Sequence, residues 1–137
     1  MLSKNKTMRL KIFQKRLSEL EIDAAVLILS RDIFYYTGTA QPCILAVTQD
    51  DYFLMVRRAL DFVLKETWID NRKILDNGSF KEAFLKLKES GISKGKLGLE
   101  MDVLPAELFL KIMGIFAGFK PVNISEEIMM QRMKKDQ

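Results

Sequence analysis

The strongest constraint on the fold of this chain is a set of short apolar runs. They are too continuous for half-exposed strands, and although a buried helix is the alternative, their short length favours strands. "AAVLIL" at residues 24–29, "CILAVT" at 43–48 and "YFLMVR" at 52–57 are the clearest. A strand that is apolar on both sides of its pleat must be covered on both faces, as when helices pack on each side of a sheet. Only Gln49, Asp50 and Asp51 separate the cores of the second and third runs, which predicts an antiparallel hairpin.

Helical periods alternate with these runs. Leu10, Phe13, Leu17 and Leu20 are spaced three, four and three, which predicts a first helix over about residues 7–21. "RRALDFVLKET" reads as a helix with Leu60, Val63 and Leu64 inward. "RKIL" reads as a short strand and "DNGS" as a turn. Ser79 and Glu82 then have the spacing of a reciprocal capping box. Phe80, Ala83, Phe84 and Leu87 form the buried stripe of that helix, and Gly91 ends it. "KLGLE" is a fifth strand. Pro105 suits the first turn of a helix closing at Gly118, with Leu108, Ile112, Ile115 and Phe116 facing the core and Phe109 and Met113 widening the stripe. "PVNI" is a sixth strand, and Ser125 caps a last helix with Glu126 and Glu127 at the positive end of its dipole. The predicted fold is α/β: a three-layer domain with a mixed, roughly six-stranded sheet flanked by helices. Right-handed crossovers place helices on both faces of its parallel part.

The chain has 137 residues, enough for a single domain spanning 1–137. It contains no histidine, which excludes a Ser-His-Asp or Cys-His nucleophile pair and removes the commonest zinc ligand. No catalytic residue and no metal ligand set is assigned. Cys43 is the only cysteine, so no internal disulfide forms; it reads as a small buried hydrophobe, and a reducing cytoplasm fits. The net charge is +4, and the basic residues concentrated at 4–16 lack interleaved aromatic side chains, which argues against nucleic-acid binding. No apolar run has the length of a membrane span, and the N-terminus is not a secretory signal.

The seven glycines form neither a dinucleotide-binding nor a phosphate-loop pattern, and "GISKGKLG" reads as a surface turn. Glu100 and Asp102 could share one side of the sheet, but the favoured reading is a solvated strand terminus and a turn-former. Of Met129, Met130 and Met133, one or two are expected to pack on the sheet, and the rest to be covered by whatever follows Gln137. The tail "RMKKDQ" stops without a Gly, a Pro or a second strand, so the chain is expected to continue in a longer protein.

The stretch "RDIFYYTGTAQP", residues 31–42, predicts a short helical turn ended by Gly38, where positive φ is cheap. With "RLKIFQKRLSELEIDAAVLI", "FLMVRRALDFVLKE", "KLGLEMDVLPAELFLKI" and "ISEEIMMQRMKKDQ", it resembles the amino-terminal domain of the creatinase, prolidase and aminopeptidase P family over roughly residues 8–135. Ile33, Tyr35, Thr37 and Gly38 match the family's Asn-Ile-x-Tyr-Leu-Thr-Gly signature. Asp32 stands where the family has Asn, and Tyr36 where it has Leu. After the hairpin, Arg58 matches the Arg of an Asp-x-Arg-Tyr pattern, with Val56 and Ala59 replacing the Asp and Tyr.

The resemblance implies a ribonuclease H-like domain that is the non-catalytic half of a proline-specific metallopeptidase. The catalytic half, absent from these residues, would carry two divalent metal ions (Mn, Co or Zn) held by two Asp, one His and two Glu. No cofactor is implied for this half. Its implied partners are its own carboxy-terminal catalytic domain, a second copy in a homodimer, and a proline-containing peptide substrate, with neither nucleic acid nor membrane. The loop after Gly38 would form the rim of the substrate cleft, with Thr39, Gln41 and Pro42 as candidates. Arg57 and Arg58 are candidates for attracting a substrate carboxylate. The alternative is a stand-alone peptide- or protein-binding module derived from the same domain.

Overall fold

The computed structural model describes residues 2–134, with side chains from residue 6. The end of the "RMKKDQ" tail lies outside the described residues. A six-stranded mixed sheet is built from β1 (Ala24–Leu27), β2 (Cys43–Thr48), β3 (Tyr52–Val56), β4 (Ile74–Leu75), β5 (Gly95–Leu99) and β6 (Phe119–Asn123). Its order is β4-β3-β2-β1-β5-β6. The helices are α1 (Leu2–Glu19), α2 (Ser30–Thr37), α3 (Leu60–Glu66), α4 (Phe80–Glu89), α5 (Ala106–Ile115) and α6 (Ser125–Met133). The β2–β3 hairpin is antiparallel, with Cys43 opposite Val56. β1 pairs antiparallel with β2 and parallel with β5, and β5 pairs parallel with β6.

The apolar runs follow from two separate cores. Side chains alternate across a strand, so successive residues face opposite layers. On β1, Ala25 and Leu27 join Leu10, Phe13 and Leu17 of α1, Ile33 and Tyr36 of α2, Val63 of α3 and Ile128 of α6. Ala24 and Val26 join Phe80, Ala83 and Leu87 of α4 and Ile112 and Phe116 of α5. The same alternation splits Leu45 and Val47 from Ile44 and Ala46 on β2. Cys43 is buried at the start of β2, as expected, and burial pushes its thiol up to about 11.

Several boundaries differ from expectation for local reasons. α1 starts before residue 7 because residues 2–6 contain no Gly or Pro to stop it. It ends two residues early: Glu21 takes the left-handed conformation (φ 57°), and the Ile22 N–H reaches back to the Leu17 carbonyl at 2.9 Å. That is a Schellman closure with Glu in the position glycine usually fills. α3 starts at Leu60 after Ala59 in the left-handed region, and Leu64 is exposed, not inward. Of "RKIL", only Ile74 and Leu75 are strand, because residues Asn71–Lys73 form a 3₁₀ turn capped by the Asp70 carboxylate.

The predicted Ser79–Glu82 box is half formed. The Ser79 Oγ accepts from the Glu82 N–H at 3.1 Å, but the Ser79 N–H donates to the Asn77 carbonyl. Pro105 precedes α5, which ends at Ile115 before reaching Gly118. Ser125 is the first residue of α6 and not its cap. Asn123 Oδ1 accepts the Ser125 N–H at 3.1 Å, while the Ser125 hydroxyl donates to Asp102. Met129, Met130 and Met133 are all exposed, and Ile128 alone anchors α6 in the core. Among the described residues, no helix is long and apolar enough to cross a membrane.

Candidate functional site

Every strand except β2 runs in one direction, so the ends of β1, β3, β5 and β6 meet at one edge of the sheet. The segment leaving α2 enters β2 at this same edge. Open α/β sheets place their ligand-binding loops at this end of the strands.

The turn at Gly38 is tightly built. Gly38 closes α2 at φ 84°, its N–H donating to the Phe34 carbonyl at 2.9 Å. A Cβ there would lie 2.6 Å from the Trp68 ring. The Trp68 Nε1–H donates to the Tyr36 carbonyl at 3.1 Å, and the Trp68 backbone N–H to the Thr37 carbonyl at 3.2 Å. Ile33 is buried, and Tyr35 is half-buried with the Arg9 guanidinium 4.3 Å from its ring centroid. The Thr37 hydroxyl turns inward and donates to the Ile33 carbonyl at 2.7 Å.

Thr39 is fully buried. Its hydroxyl donates to the Glu66 carboxylate and accepts the Gln41 N–H at 3.2 Å, so it pins the loop from beneath. Gln41 is half-buried, Pro42 exposed, and the Pro42 carbonyl accepts the Arg57 N–H at 2.9 Å. Arg57 and Arg58 are both exposed at the end of β3, and the Arg57 guanidinium lies 6.0 Å from the Phe80 ring centroid. The structure therefore brings Gln41, Pro42 and the adjoining Arg57 and Arg58 to one edge of the sheet and buries Thr39 beneath that loop.

A second group of residues at this edge departs from the sequence expectation. Glu100 is not solvated but 1% exposed. It falls on the same side of β5 as Gly98, beneath α2 and α6. Its Oε1 accepts the backbone N–H groups of Ile28 at 2.7 Å and Leu29 at 3.1 Å. Asp32 of α2 is also buried, and its Oδ1 stands 3.1 Å from Arg132 Nε of α6. Burial first, and then the facing Asp32 carboxyl, push Glu100 up to about 8. Beside them the fully buried Tyr36 donates its hydroxyl to Gln131 Oε1 at 2.6 Å, and burial holds that phenol well above its ordinary value.

One signal in the sequence pointed here. Asp32, Ile33, Tyr36 and Thr37 form a single stripe on α2, so Asp32 shares the buried face. The two departures from the family signature, Asp32 and Tyr36, land together in this polar cluster. Outside it lies a cleft of about 280 Å³ lined by Arg31, Asp32, Asp102, Ser125, Glu126 and Met129.

This order of elements, two-faced core and sheet topology define a three-layer α/β domain. The sequence profile of the Creatinase/Prolidase N-terminal domain matches residues 9–134, and the chain belongs to that family. An X-Pro aminopeptidase from Thermotoga maritima MSB8 is similar in structure, with TM-score 0.78 and 21% identity over 93% of this chain and 36% of that one. A Xaa-Pro aminopeptidase from Streptococcus thermophilus superposes with TM-score 0.79 and 12% identity over 97% of this chain and 100% of that one. A dipeptidase from Pyrococcus horikoshii OT3 gives 0.72 and 28% over 95% and 38%. The chain thus spans little more than a third of the Thermotoga and Pyrococcus chains it resembles. No curated protein sequence matches it.

The family's implied pair of metal ions does not fit these residues. Among the described residues no three His, Cys, Asp or Glu side chains converge as a ligand set. The buried carboxylate pair found among the described residues, Asp32 and Glu100, already faces a guanidinium, which competes with any cation.

Proposed function

We propose that this chain is the non-catalytic amino-terminal domain of a Xaa-Pro dipeptidase or aminopeptidase. In this reading it helps form a homodimer and supplies part of the rim of a substrate cleft. The dinuclear metal chemistry belongs to a carboxy-terminal domain. The observation that carries the proposal is the family match across residues 9–134 in a chain without histidine. The rim geometry supports it. A cleft that admits only short peptides needs a fixed wall, and Thr39 fixes this one from below through Glu66 and the Gln41 N–H. Arg57, bonded through its backbone N–H to Pro42, and the adjacent Arg58 are exposed, as side chains that meet a peptide carboxylate must be.

The reading frame beyond Gln137 tests the proposal directly. It is expected to encode two Asp, one His and two Glu in the order of the family's metal ligands. A stop codon at that point would overturn the proposal and leave the stand-alone binding module. As a second test, this chain alone with manganese, cobalt or zinc is expected to show no Xaa-Pro cleavage, while the complete polypeptide cleaves.

A further inference from the structure

Two carboxylates are buried here beside one largely buried guanidinium, Arg132. The other nearby guanidinium, Arg31, is exposed and 3.8 Å from Asp32 Oδ1, where water screens it. A buried charge without a close partner is strongly disfavoured. The bonding pattern around Glu100 shows how the balance is restored. Its Oε1 takes both nearby backbone donors. Its Oε2 is buried without a donor, and Asp32 Oδ1 likewise has no aligned donor, although Arg132 Nε is close by. Two facing acceptors bond only when one of them carries a hydrogen.

We infer that Glu100 is held as the neutral acid, donating its Oε2–H to Asp32, and that this single proton fastens the end of β5 to the first turn of α2. Arg132 then balances the one remaining charge, on Asp32. The charged and titratable groups facing the pair are few. α2 presents Asp32 and Tyr36, with Arg31 on the solvent side 3.8 Å from Asp32 Oδ1. α6 presents Arg132. On Glu100's own turn, Asp102 is exposed and engaged by the Ser125 hydroxyl.

Removing the proton leaves like charges facing each other across this contact. The first turn of α2 has no side-chain cap of its own to hold it against that repulsion, and its Leu29 N–H is tied to Glu100 itself. Opening there admits water to the pair. α2 leads through Gly38 into the loop at 39–42, so the joint lies directly upstream of that loop. This inference does not depend on the proposed function, because every group in it belongs to this chain.

Peptide-resolved hydrogen exchange, corrected for the intrinsic pH dependence, tests it. Between about pH 6.5 and about pH 9.5, exchange in residues 28–34 and 100–104 is expected to rise about tenfold, while α4 on the opposite face stays unchanged. Glu100→Gln keeps the Oε1 acceptor and gives Asp32 a permanent donor, so it should abolish the difference. Asp32→Asn should also abolish it by removing the facing charge. Equal protection at both pH values in the unaltered protein, or a pH response that survives in Glu100→Gln, would overturn the inference. If neither variant folds, carboxyl ¹³C NMR of Glu100 in the unaltered protein decides: titration in the alkaline range supports the neutral acid, and titration in the ordinary carboxylate range refutes it.

Discussion

Arg132 Nε and Asp32 Oδ1 stand 3.1 Å apart, joining α6 to α2 beside the Tyr36–Gln131 hydrogen bond. Ile128 is the one residue of α6 that is fully buried, so polar contacts carry much of its attachment. Removing one partner of a largely buried ion pair leaves the other uncompensated. Arg132→Met is therefore expected to cost about 3 kcal/mol in urea unfolding. Asp32→Asn in the same background should recover most of that loss, because the stranded charge is gone. Simple additivity of the two substitutions would show that the pair does not interact.

The pH dependence of stability follows from Glu100. Its folded value is raised from 4.5 to about 8. Across that window the folded chain holds a proton that the unfolded chain has released, so stability falls as pH rises, then levels off above the folded value. The stability of the unaltered protein minus that of Glu100→Gln should decline steadily across the window. Other groups titrate in both proteins and cancel. A difference that stays flat, or that grows with pH, would contradict the raised value.

The strands were legible because a two-faced core writes itself as unbroken apolar runs. Ala24 to Leu27 needed no tertiary information to be placed. Glu100 was not legible. A carboxylate after a strand looks the same whether it meets water or the backbone of Ile28 and Leu29, and only the arrival of β1 beside β5 decides between them. Thr39 misled in the same way, since a polar loop residue gives no sign that Glu66 will come to cover its hydroxyl. The exposed methionines of α6 had the reverse problem: hydrophobicity alone did not say that Ile128 would take the one buried place.

Gly38 and Gly91 both have positive φ, 84° and 87°, but their surroundings differ. A Cβ on Gly38 meets the Trp68 ring at 2.6 Å, whereas one on Gly91 meets nothing within 4 Å. Gly91→Ala should show only the backbone penalty, about 1 kcal/mol. Gly38→Ala adds overpacking against a fixed aromatic ring and should cost about 3 kcal/mol, and Gly38→Val more. Thermal unfolding of the two alanine variants side by side separates the terms. Equal shifts would mean that Trp68 yields freely.

Arg57 and Arg58 should affect function without affecting the fold. Both are exposed, and neither forms an ion pair within 4.0 Å of a carboxylate among the described residues. Arg57→Ala and Arg58→Ala are therefore expected to change stability by less than about 0.5 kcal/mol. On the proposed function, an arginine that grips a substrate carboxylate in the complete polypeptide contributes a charge-assisted hydrogen bond, and its loss should raise KM about tenfold or more. The informative comparison is between peptides with a free C-terminus and the same peptides amidated. If either arginine reads the carboxylate, its removal weakens only the free-acid series. An equal loss in both series would place that arginine in the wall of the cleft without a role in recognising the peptide end.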